Sequence, residues 1–476
     1  MMIAKQEEAA LEKKMQEVET AASKDTSKAE KDTPVAFYRH KDTLIEMVYD
    51  PEQETTALAA YKDGEIEYLQ FVLINKKKLV PYSPNNNLLK HKVVLFPSRA
   101  SEYGSEAELL KEIGSFIYRH VQLTPFFQGL APYYVLLTWI YDCFNEVPYL
   151  RFIGDTGSGK TRSVETIGSL CYKPIFATGA ASVSPIFRTL DLFRGTLLLD
   201  EADYRFSDEK AEIVKILNCG NTKSFPVLRS ESSQQKEYNP VAFQVFGPKI
   251  LDTRGYFKDV ALENRCLTEE MGQRKLRDDI PINLPENFWK EALGIRNKLL
   301  MFRFRNYQQK KINPEMIDPS IEPRLNQIIC PLASITSDPQ VLEELKSSVR
   351  EYNKQLVSDR GMEEPGQILE VIHHLNMPQR EDDHPDIVSI QNILRLYTDK
   401  YGEKNDRGKP ISAKWIGSIV RKELKLKTIR TSEGYIIPGN EQEKLNNLYR
   451  KYGLGTTKNE HNELYEHNIK DEKAPI

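Results

Sequence analysis

The chain has 476 residues, of which 40% are hydrophobic and 28% are charged, and its formal net charge is -3. This length predicts two or three domains, and the charge excludes a protein that is basic throughout, so any nucleic-acid surface must be local. Five cysteines without a CxxC pair predict reduced thiols in a cytoplasmic protein and argue against a zinc site.

Residues 1–33 mix both signs of charge and contain no aromatic side chain, which predicts a helical or disordered tail. Residues 34–104 predict a small β-rich domain, because turn residues such as Asp63 and Gly64 separate short β-leaning runs. Residues 105–121 and 132–144 predict helices. The second of these is the most apolar stretch, but it is shorter than the roughly 20 residues that a membrane helix needs, so no membrane partner is expected.

A glycine-rich segment follows the β-type run Tyr149–Ile153 and precedes a helical run. It matches the pattern GxxxxGK[ST], in which glycines let backbone N–H groups turn inward towards phosphate oxygens. Lys160 is expected to reach the β- and γ-phosphates of ATP, and the Thr161 hydroxyl is expected to coordinate Mg²⁺. The predicted nucleotide-binding residues are Gly154, Asp155, Thr156, Gly157, Ser158, Gly159, Lys160 and Thr161.

A second motif is an apolar run that ends in carboxylates. Leu197–Asp200 predicts a central parallel strand, and open α/β sheets bind ligands at the carboxyl ends of such strands. Asp200 is expected to hold Mg²⁺, directly or through water, and Glu201 to polarise the attacking water. We therefore predict an α/β P-loop NTPase core over residues 105–270, with a parallel sheet flanked by helices, and a helical lid over residues 271–360.

A polar insertion separates this strand from the next one. Its β-leaning runs predict a hairpin, from which Arg229 and Lys236 are candidates to contact DNA, although a solvated loop would explain the same scattered cations. The next strand ends at Asp252 and Thr253. Either side chain is a candidate to touch the γ-phosphate or the attacking water, and we place Thr253 among the catalytic candidates.

Residues 361–455 predict three amphipathic helices and a β-hairpin, a pattern that resembles a winged helix. Residues 404–430 contain nine basic and two acidic side chains, which favours contact with phosphates. A solvated basic helix in a protein–protein module is the alternative. Residues 456–476 predict a polar tail. The candidates for DNA contact in this domain are Lys414, Arg421, Lys422, Lys427 and Arg430.

Together these motifs resemble the core of an AAA+-type ATPase, over about residues 147–337. Within that group, residues 246–267 are similar to helicase-like replication proteins of phages, plasmids and genomic islands, although many of those carry Asn at the end of the strand that here ends in Asp252 and Thr253. The resemblance implies a homo-oligomeric, hexamer-like ring that moves on DNA. It also implies that Arg265 is an arginine finger acting on the adjacent subunit's nucleotide, and that Arg324 senses nucleotide from the lid. A surface salt bridge and an ordinary helix arginine are the respective alternatives.

The sequence thus predicts an ATP- and Mg²⁺-dependent DNA translocase or helicase, acting on single-stranded or forked DNA in the replication of a mobile genetic element. One alternative is an ATP-switched DNA-binding regulator or loader that does not unwind DNA. Another is a ring that remodels proteins, whose pore loops usually carry an aromatic-apolar pair that Phe225, Pro226 and Val227 match only loosely.

Overall fold

A computed structural model describes residues 32–454 except residues 203–207, 231–238, 258, 264, 308, 336–338, 378–387, 406–407 and 433. Lys236 and nearly all of the two predicted tails lie outside the described residues. The chain divides into two compact units. The first contains residues 1–317 and 327–342, and the second contains residues 318–326 and 343–476.

Two small sheets form the amino-terminal part of the first unit. One is a four-stranded antiparallel sheet in the order β2-β3-β4-β5, and the other is three-stranded in the order β1-β7-β6. Their apolar side chains, among them Ile45 and Leu58, share a hydrophobic core with the central sheet of the unit. The strands are β1 Thr33–Pro34, β2 Phe37–His40, β3 Thr43–Asp50, β4 Thr55–Lys62, β5 Glu65–Leu69, β6 Val72–Ile74 and β7 Lys77–Val80.

The central sheet of the first unit is parallel and has five strands in the order β14-β8-β13-β10-β9. Every position of β8 and β13 is buried, as expected for strands covered on both faces. The predicted α/β core with a parallel sheet is therefore confirmed. The strands are β8 Tyr149–Ile153, β9 Ile175–Thr178, β10 Leu197–Asp200, the hairpin strands β11 Val227–Arg229 and β12 Val241–Phe243, β13 Lys249–Thr253 and β14 Cys266–Glu270.

Helices of the first unit begin where the sequence supplies capping groups. At the first long helix, the Ser105 hydroxyl accepts the N–H of Glu108, and the Glu108 carboxylate accepts the N–H of Ser105. The helix predicted at residues 132–144 begins earlier and ends earlier, because Thr124 caps it, Pro125 occupies its first position and Pro132 is accommodated inside it. The helices are α1 Asn87–Lys90, α2 Glu106–His120, α3 Pro125–Trp139, α4 Lys160–Gly168, α5 Val183–Phe193, α6 Asp208–Cys219, α7 Val260–Glu263 and α8 Phe288–Asn306.

The second unit has its own hydrophobic core, formed by side chains such as Ile368, Ile393, Ile416 and Leu445. The chain passes between the units three times: after Ile317, within α9 Pro323–Ala333 and within α10 Pro339–Met362. Among the described residues, no helix is both long and apolar enough to cross a membrane. The remaining elements are α11 Glu364–Asn376, α12 Ile390–Tyr401, α13 Ala413–Lys422, β15 Ile429–Thr431, β16 Gly434–Ile436 and α14 Gln442–Lys451.

A buried ionic network joins the amino-terminal sheet to the rest of the first unit. Glu46 on β3 is 1% exposed and accepts hydrogen bonds from Lys173 at 2.8 Å and from Arg303 on α8 at 2.5 Å. The Tyr172 hydroxyl donates to the same carboxylate at 2.8 Å. Two buried cations therefore share the Glu46 carboxylate, and Arg303 also bonds Asp142 at 2.9 Å. The shared carboxylate fixes β3 against elements that are distant in sequence.

We expect Glu46→Gln to lower the free energy of unfolding by about 3–5 kcal/mol, because it leaves Lys173 and Arg303 buried without their shared carboxylate. Urea denaturation measures this loss. Glu102→Gln, which removes the exposed partner of Arg305, is the control and should change stability by less than about 1 kcal/mol. Equal effects of the two substitutions would contradict the network's structural role.

Candidate nucleotide-binding site

The glycine-rich loop between β8 and α4 adopts a backbone that requires glycine. Gly159 immediately precedes the first helical residue and has a φ of 94°, in the left-handed region. At Gly154, a Cβ atom would lie 2.8 Å from the carbonyl oxygen of Met271. The loop therefore turns tightly into the amino end of α4, where free N–H groups favour an anion.

Lys160 lies within this loop and is 8% exposed. Its Nζ donates to the carbonyl oxygens of Gly154 at 2.8 Å and Asp155 at 2.9 Å. The side chain at the end of the loop thus bonds the start of the loop, and its ammonium group is a candidate to contact a phosphate bound there. The predicted loop residues form one continuous turn between β8 and α4.

Three side-chain oxygens converge beside the loop. The Thr161 hydroxyl lies 3.0 Å from a carboxylate oxygen of Asp200 and 3.3 Å from one of Asp252. The two aspartates are neighbours because β10 and β13 pair in parallel, with Leu199 opposite Leu251. Hard oxygen donors of this kind suit Mg²⁺, so the residues present fit the predicted metal.

Asp252 also fixes the backbone of the predicted catalytic carboxylate. Its side chain accepts the N–H of Glu201 at 2.9 Å, and its carbonyl accepts the N–H of Ala202 at 2.8 Å. Glu201 has a φ of 55°, in the left-handed region, while its side chain is exposed. The polypeptide is therefore turned so that the Glu201 carboxylate faces solvent next to the strand end.

The pKa of Asp252 reflects this crowding of acidic groups. Burial, a hydrogen bond to Asp200 and the charge of Asp200 together raise the pKa of Asp252 to about 7. Two carboxylates this close repel each other when both are ionised, and a divalent cation would relieve that repulsion. Two buried hydroxyls of the same region, those of Ser158 and Thr253, have no hydrogen-bond partner among the described residues, as expected where a polar ligand binds.

Thr253 follows Asp252 on β13 and is 1% exposed. Successive side chains of a strand point to opposite faces of the sheet, so Thr253 lies on the other face from the carboxylate that meets Thr161. The structure thus brings Asp252 rather than Thr253 into the cluster of oxygens. The catalytic role of Thr253 stays a prediction.

Arg265 lies at the opposite edge of the sheet from the loop. It precedes β14, whose first residue Cys266 pairs with Tyr149, the first residue of β8, whereas the loop follows the last residue of β8. The length of the strand separates Arg265 from its own loop by about 13 Å. Its guanidinium group donates to the side-chain oxygens of Asn221 at 2.7 Å and Asn218 at 2.8 Å.

The remaining predicted contacts are spread over both units. Arg229 on β11 donates to Glu212 at 3.1 Å and lies 5.1 Å from the ring centre of Phe187. Arg324 is half-buried at the start of α9, and its predicted contact with nucleotide stays a prediction. The candidates for DNA contact in the second unit are all exposed: Lys414, Arg421, Lys422, Lys427 and Arg430.

Sequence reasoning missed one residue at the loop. Arg162, which follows Thr161, donates to the carbonyl oxygens of Pro281 at 3.1 Å and Ile282 at 2.7 Å. It thereby holds the segment between β14 and α8 against the start of α4. No pattern of side chains could have revealed this contact, because its acceptors are main-chain carbonyls.

No protein-family model matches the chain, and no curated protein matches it. Among solved structures, the NrS-1 C-terminal region is similar with 11% identity and a TM-score of 0.33, over 83% of this chain and 95% of that one. The active helicase Cch of SCCmec type IV is similar with 9% identity and a TM-score of 0.30, over 87% of this chain and 99% of that one. The JCV helicase is similar with 16% identity and a TM-score of 0.22, over 52% of this chain and 59% of that one. Scores this low decide neither the fold nor the activity.

We expect Asp252→Asn to stabilise the magnesium-free protein at high pH. The folded-state pKa of Asp252, about 7, exceeds the ordinary value of 3.8, so the folded state loses stability relative to the unfolded state as pH rises between these values. Asparagine keeps an acceptor for the Glu201 N–H but carries no charge. Thermal unfolding in EDTA should show a gain for the variant that grows from about pH 4 to about pH 7 and stays constant above that range. A difference that stays constant with pH would contradict this.

Proposed function

We propose that this chain is a Mg²⁺-dependent ATP hydrolase that acts on DNA as a translocase or helicase, in the replication of a mobile genetic element. The observation that carries the proposal is the convergence of Thr161, Asp200 and Asp252 beside a glycine-rich loop, with Glu201 next to them. A buried lysine within the loop and carboxylates at the adjacent strand end are the groups that phosphoryl transfer to water requires.

The loop would hold the triphosphate through its main-chain N–H groups and Lys160, with Gly154, Asp155, Thr156, Gly157, Ser158 and Gly159 forming the curve. Thr161, Asp200 and Asp252 would hold Mg²⁺, which when bound supplies positive charge that neutralises the phosphate oxygens. Glu201 would accept a proton from the attacking water, since its exposed carboxylate is free of the interactions that hold Asp252. Thr253 is a further candidate to contact the nucleotide from the same strand.

Arg265 would act on a neighbouring copy of the chain. Its own loop lies at the other edge of the sheet, so only the nucleotide of another subunit can be within its reach. This placement supports a ring in which each arginine completes the next active site, with the hexamer as the proposed form. Arg265 would have to exchange its bonds to Asn218 and Asn221 for a phosphate, which a charge-assisted hydrogen bond favours. Arg324 is proposed as the corresponding sensor from the lid.

We also propose that residues 361–455 form a winged-helix domain. Helices α11, α12 and α13 precede the antiparallel hairpin β15–β16, and Ser389, just before α12, forms a bridge with Ile436 of β16. This antiparallel bridge between the start of the second helix and the hairpin supports the topology. Helix α13 would then be the helix that enters the major groove.

The basic side chains of this domain support contact with the DNA backbone. Lys414 and Arg421 lie seven residues apart on α13 and therefore on one face of the helix. The Arg421 guanidinium donates to the Thr428 hydroxyl at 3.3 Å and lies 5.8 Å from the ring centre of Tyr435. These contacts align the end of α13 with the hairpin, so that one surface includes cations from both. Lys422, Lys427 and Arg430 extend it.

An ATP-switched DNA-binding regulator or loader is the second candidate. The observation that favours this candidate is that the basic surface belongs to a unit with its own hydrophobic core. Such a unit could bind DNA without movement along a strand. Strand displacement on a forked duplex distinguishes the two candidates, since only the helicase separates the strands.

Hydrolysis provides the first test of the proposed function. We expect Lys160→Ala to abolish ATP binding, whereas Glu201→Gln should bind ATP with Mg²⁺ but hydrolyse it about 10²–10⁴-fold more slowly, because the base is lost. Equilibrium binding of a fluorescent ATP analogue and phosphate release measure the two effects. Wild-type hydrolysis should rise on addition of single-stranded DNA; normal turnover by Glu201→Gln would refute the assignment of the base.

Subunit mixing tests the position of Arg265. Arg265→Ala and Glu201→Gln should each be inactive alone, because every active site then lacks either the arginine or the base. Mixed rings contain interfaces that combine the intact Glu201 of one subunit with the intact Arg265 of the next, so activity should reappear. Absence of activity at every mixing ratio would exclude action on a neighbouring subunit.

Salt dependence tests the basic surface of the second unit. We expect Arg430→Ala to weaken DNA binding for all sequences and to reduce the slope of log K against log salt by about 1, as for the loss of one phosphate contact. Fluorescence anisotropy with a labelled duplex between low and moderate salt measures the slope. Arg450→Ala, at an exposed position of α14, is the matched control and should leave the slope unchanged.

A further inference from the structure

The first residue of β13 is a fully buried lysine that the nucleotide site does not use. Lys249 is 0% exposed, and its Nζ donates to the carbonyl oxygens of Gly220 at 3.0 Å, Val245 at 3.0 Å and Gly247 at 2.9 Å. The three N–H bonds of an ammonium group match these three acceptors. The Tyr149 ring centre lies 4.8 Å from the same nitrogen.

The three carbonyls belong to the two ends of one insertion. Gly220 follows α6, just before the insertion that contains the hairpin β11–β12, and Val245 and Gly247 lie between that hairpin and β13. The two ends also bond directly, since the Gly247 N–H donates to the Gly220 carbonyl at 3.0 Å. We call these three carbonyls with Lys249 the hairpin base. One side chain therefore holds both ends of the insertion together.

Position 220 of the hairpin base requires glycine. A Cβ atom on Gly220 would lie 2.4 Å from the Lys249 nitrogen and 2.8 Å from the Val245 carbonyl oxygen. Any larger residue would displace the ammonium group from its acceptors. The backbone at Gly220 therefore packs directly against the Lys249 ammonium group, with no room for a side chain between them.

The same strand connects the hairpin base to the nucleotide site. Lys249 begins β13, and Asp252, which contacts Thr161 and the Glu201 N–H, lies about 10 Å further along it. The Tyr134 hydroxyl accepts the Lys249 N–H at 3.2 Å and lies 2.9 Å from the Lys249 carbonyl, which fixes the start of the strand. The hairpin base and Asp252 therefore lie on one strand, which pairs with β8 on one side and β10 on the other.

A buried cation at this position is costly for stability. Burial lowers the pKa of Lys249 to about 7, because an apolar interior disfavours the charged form. An apolar side chain of the same length would avoid that cost but could not bond the three carbonyls. The bonds of Lys249 therefore fix the position of the insertion, at a cost in stability.

We propose that Lys249 is a positioning residue that couples the hairpin insertion to the nucleotide site, so that contact of DNA with the hairpin changes the rate of hydrolysis. This inference rests on the proposed function, in which the hairpin contacts DNA. Lys249 holds the insertion to the start of β13, and Asp252 transmits the position of that strand to Glu201 and Thr161.

The test compares Lys249→Met with Lys173→Met in the full-length protein. Both remove a fully buried ammonium from the first unit, but Lys173 bonds Glu46 and the Ala36 carbonyl rather than the insertion. We measure ATP hydrolysis with and without oligo(dT). We expect Lys249→Met to keep basal hydrolysis within about twofold of wild type and to lose the stimulation by oligo(dT), whereas Lys173→Met keeps the ratio of stimulated to basal rate.

Gly220→Ala provides a second route to the same result, because it displaces the ammonium group while retaining its charge. Hydrogen exchange of residues 221–230 and 239–244 should accelerate in both Lys249→Met and Gly220→Ala, while exchange in Tyr149–Ile153 stays as in wild type. If Lys249→Met fails to fold, Gly220→Ala by itself tests whether the hairpin base couples the insertion to hydrolysis.

The outcomes separate the inference from the proposed function. Wild-type protein that is stimulated by oligo(dT), together with Lys249→Met or Gly220→Ala protein that is stimulated equally, would overturn the coupling and leave the proposed function standing. Wild-type protein that hydrolyses ATP without any response to oligo(dT) would overturn both. Unchanged exchange in residues 221–230 and 239–244 would overturn the positioning role itself.

Discussion

The geometry of the site depends on the contacts that the Asp252 carboxylate makes with two neighbouring segments. The carboxylate accepts the N–H of Glu201 and lies next to the Thr161 hydroxyl, so it touches the segments that follow two other strands of the sheet. Parallel pairing of β8, β13 and β10 brings the three strand ends to one edge. Because Asp252 is on the middle strand, it can contact both neighbours, and no residue on an outer strand could do so.

Buried cations perform a similar task elsewhere in the first unit. Arg151 on β8 bonds Glu263 and Thr268, Arg303 bonds Glu46 and Asp142, and Lys249 bonds three carbonyls. In each case at least one acceptor comes from a part of the chain that is distant in sequence. A buried charge tolerates little displacement, since an unmet hydrogen bond in the interior is expensive. These side chains therefore specify the alignment of elements more strictly than apolar contacts alone.

The second unit combines an apolar core with an exposed basic surface. Its apolar side chains from α11, α12, α13 and α14 form one core, while the basic side chains of α13 and the hairpin remain exposed. Exposed like charges repel each other, and screening by solvent keeps that repulsion small. A phosphate backbone would neutralise them. The chain as a whole is slightly acidic, so the positive charge that could attract a nucleic acid is concentrated here.

The sequence by itself determined the features whose cause is local. The glycine-rich loop and the apolar strand that ends in Asp200 are each set by residues within a few positions of one another, so pattern alone predicts them. Only the tertiary structure decided which residues meet. Strand order and side-chain alternation place Asp252 rather than Thr253 in the oxygen cluster. The register of β14 places Arg265 at the end of the sheet opposite the loop. The acceptors of Lys249 are main-chain carbonyls, which no sequence pattern reveals.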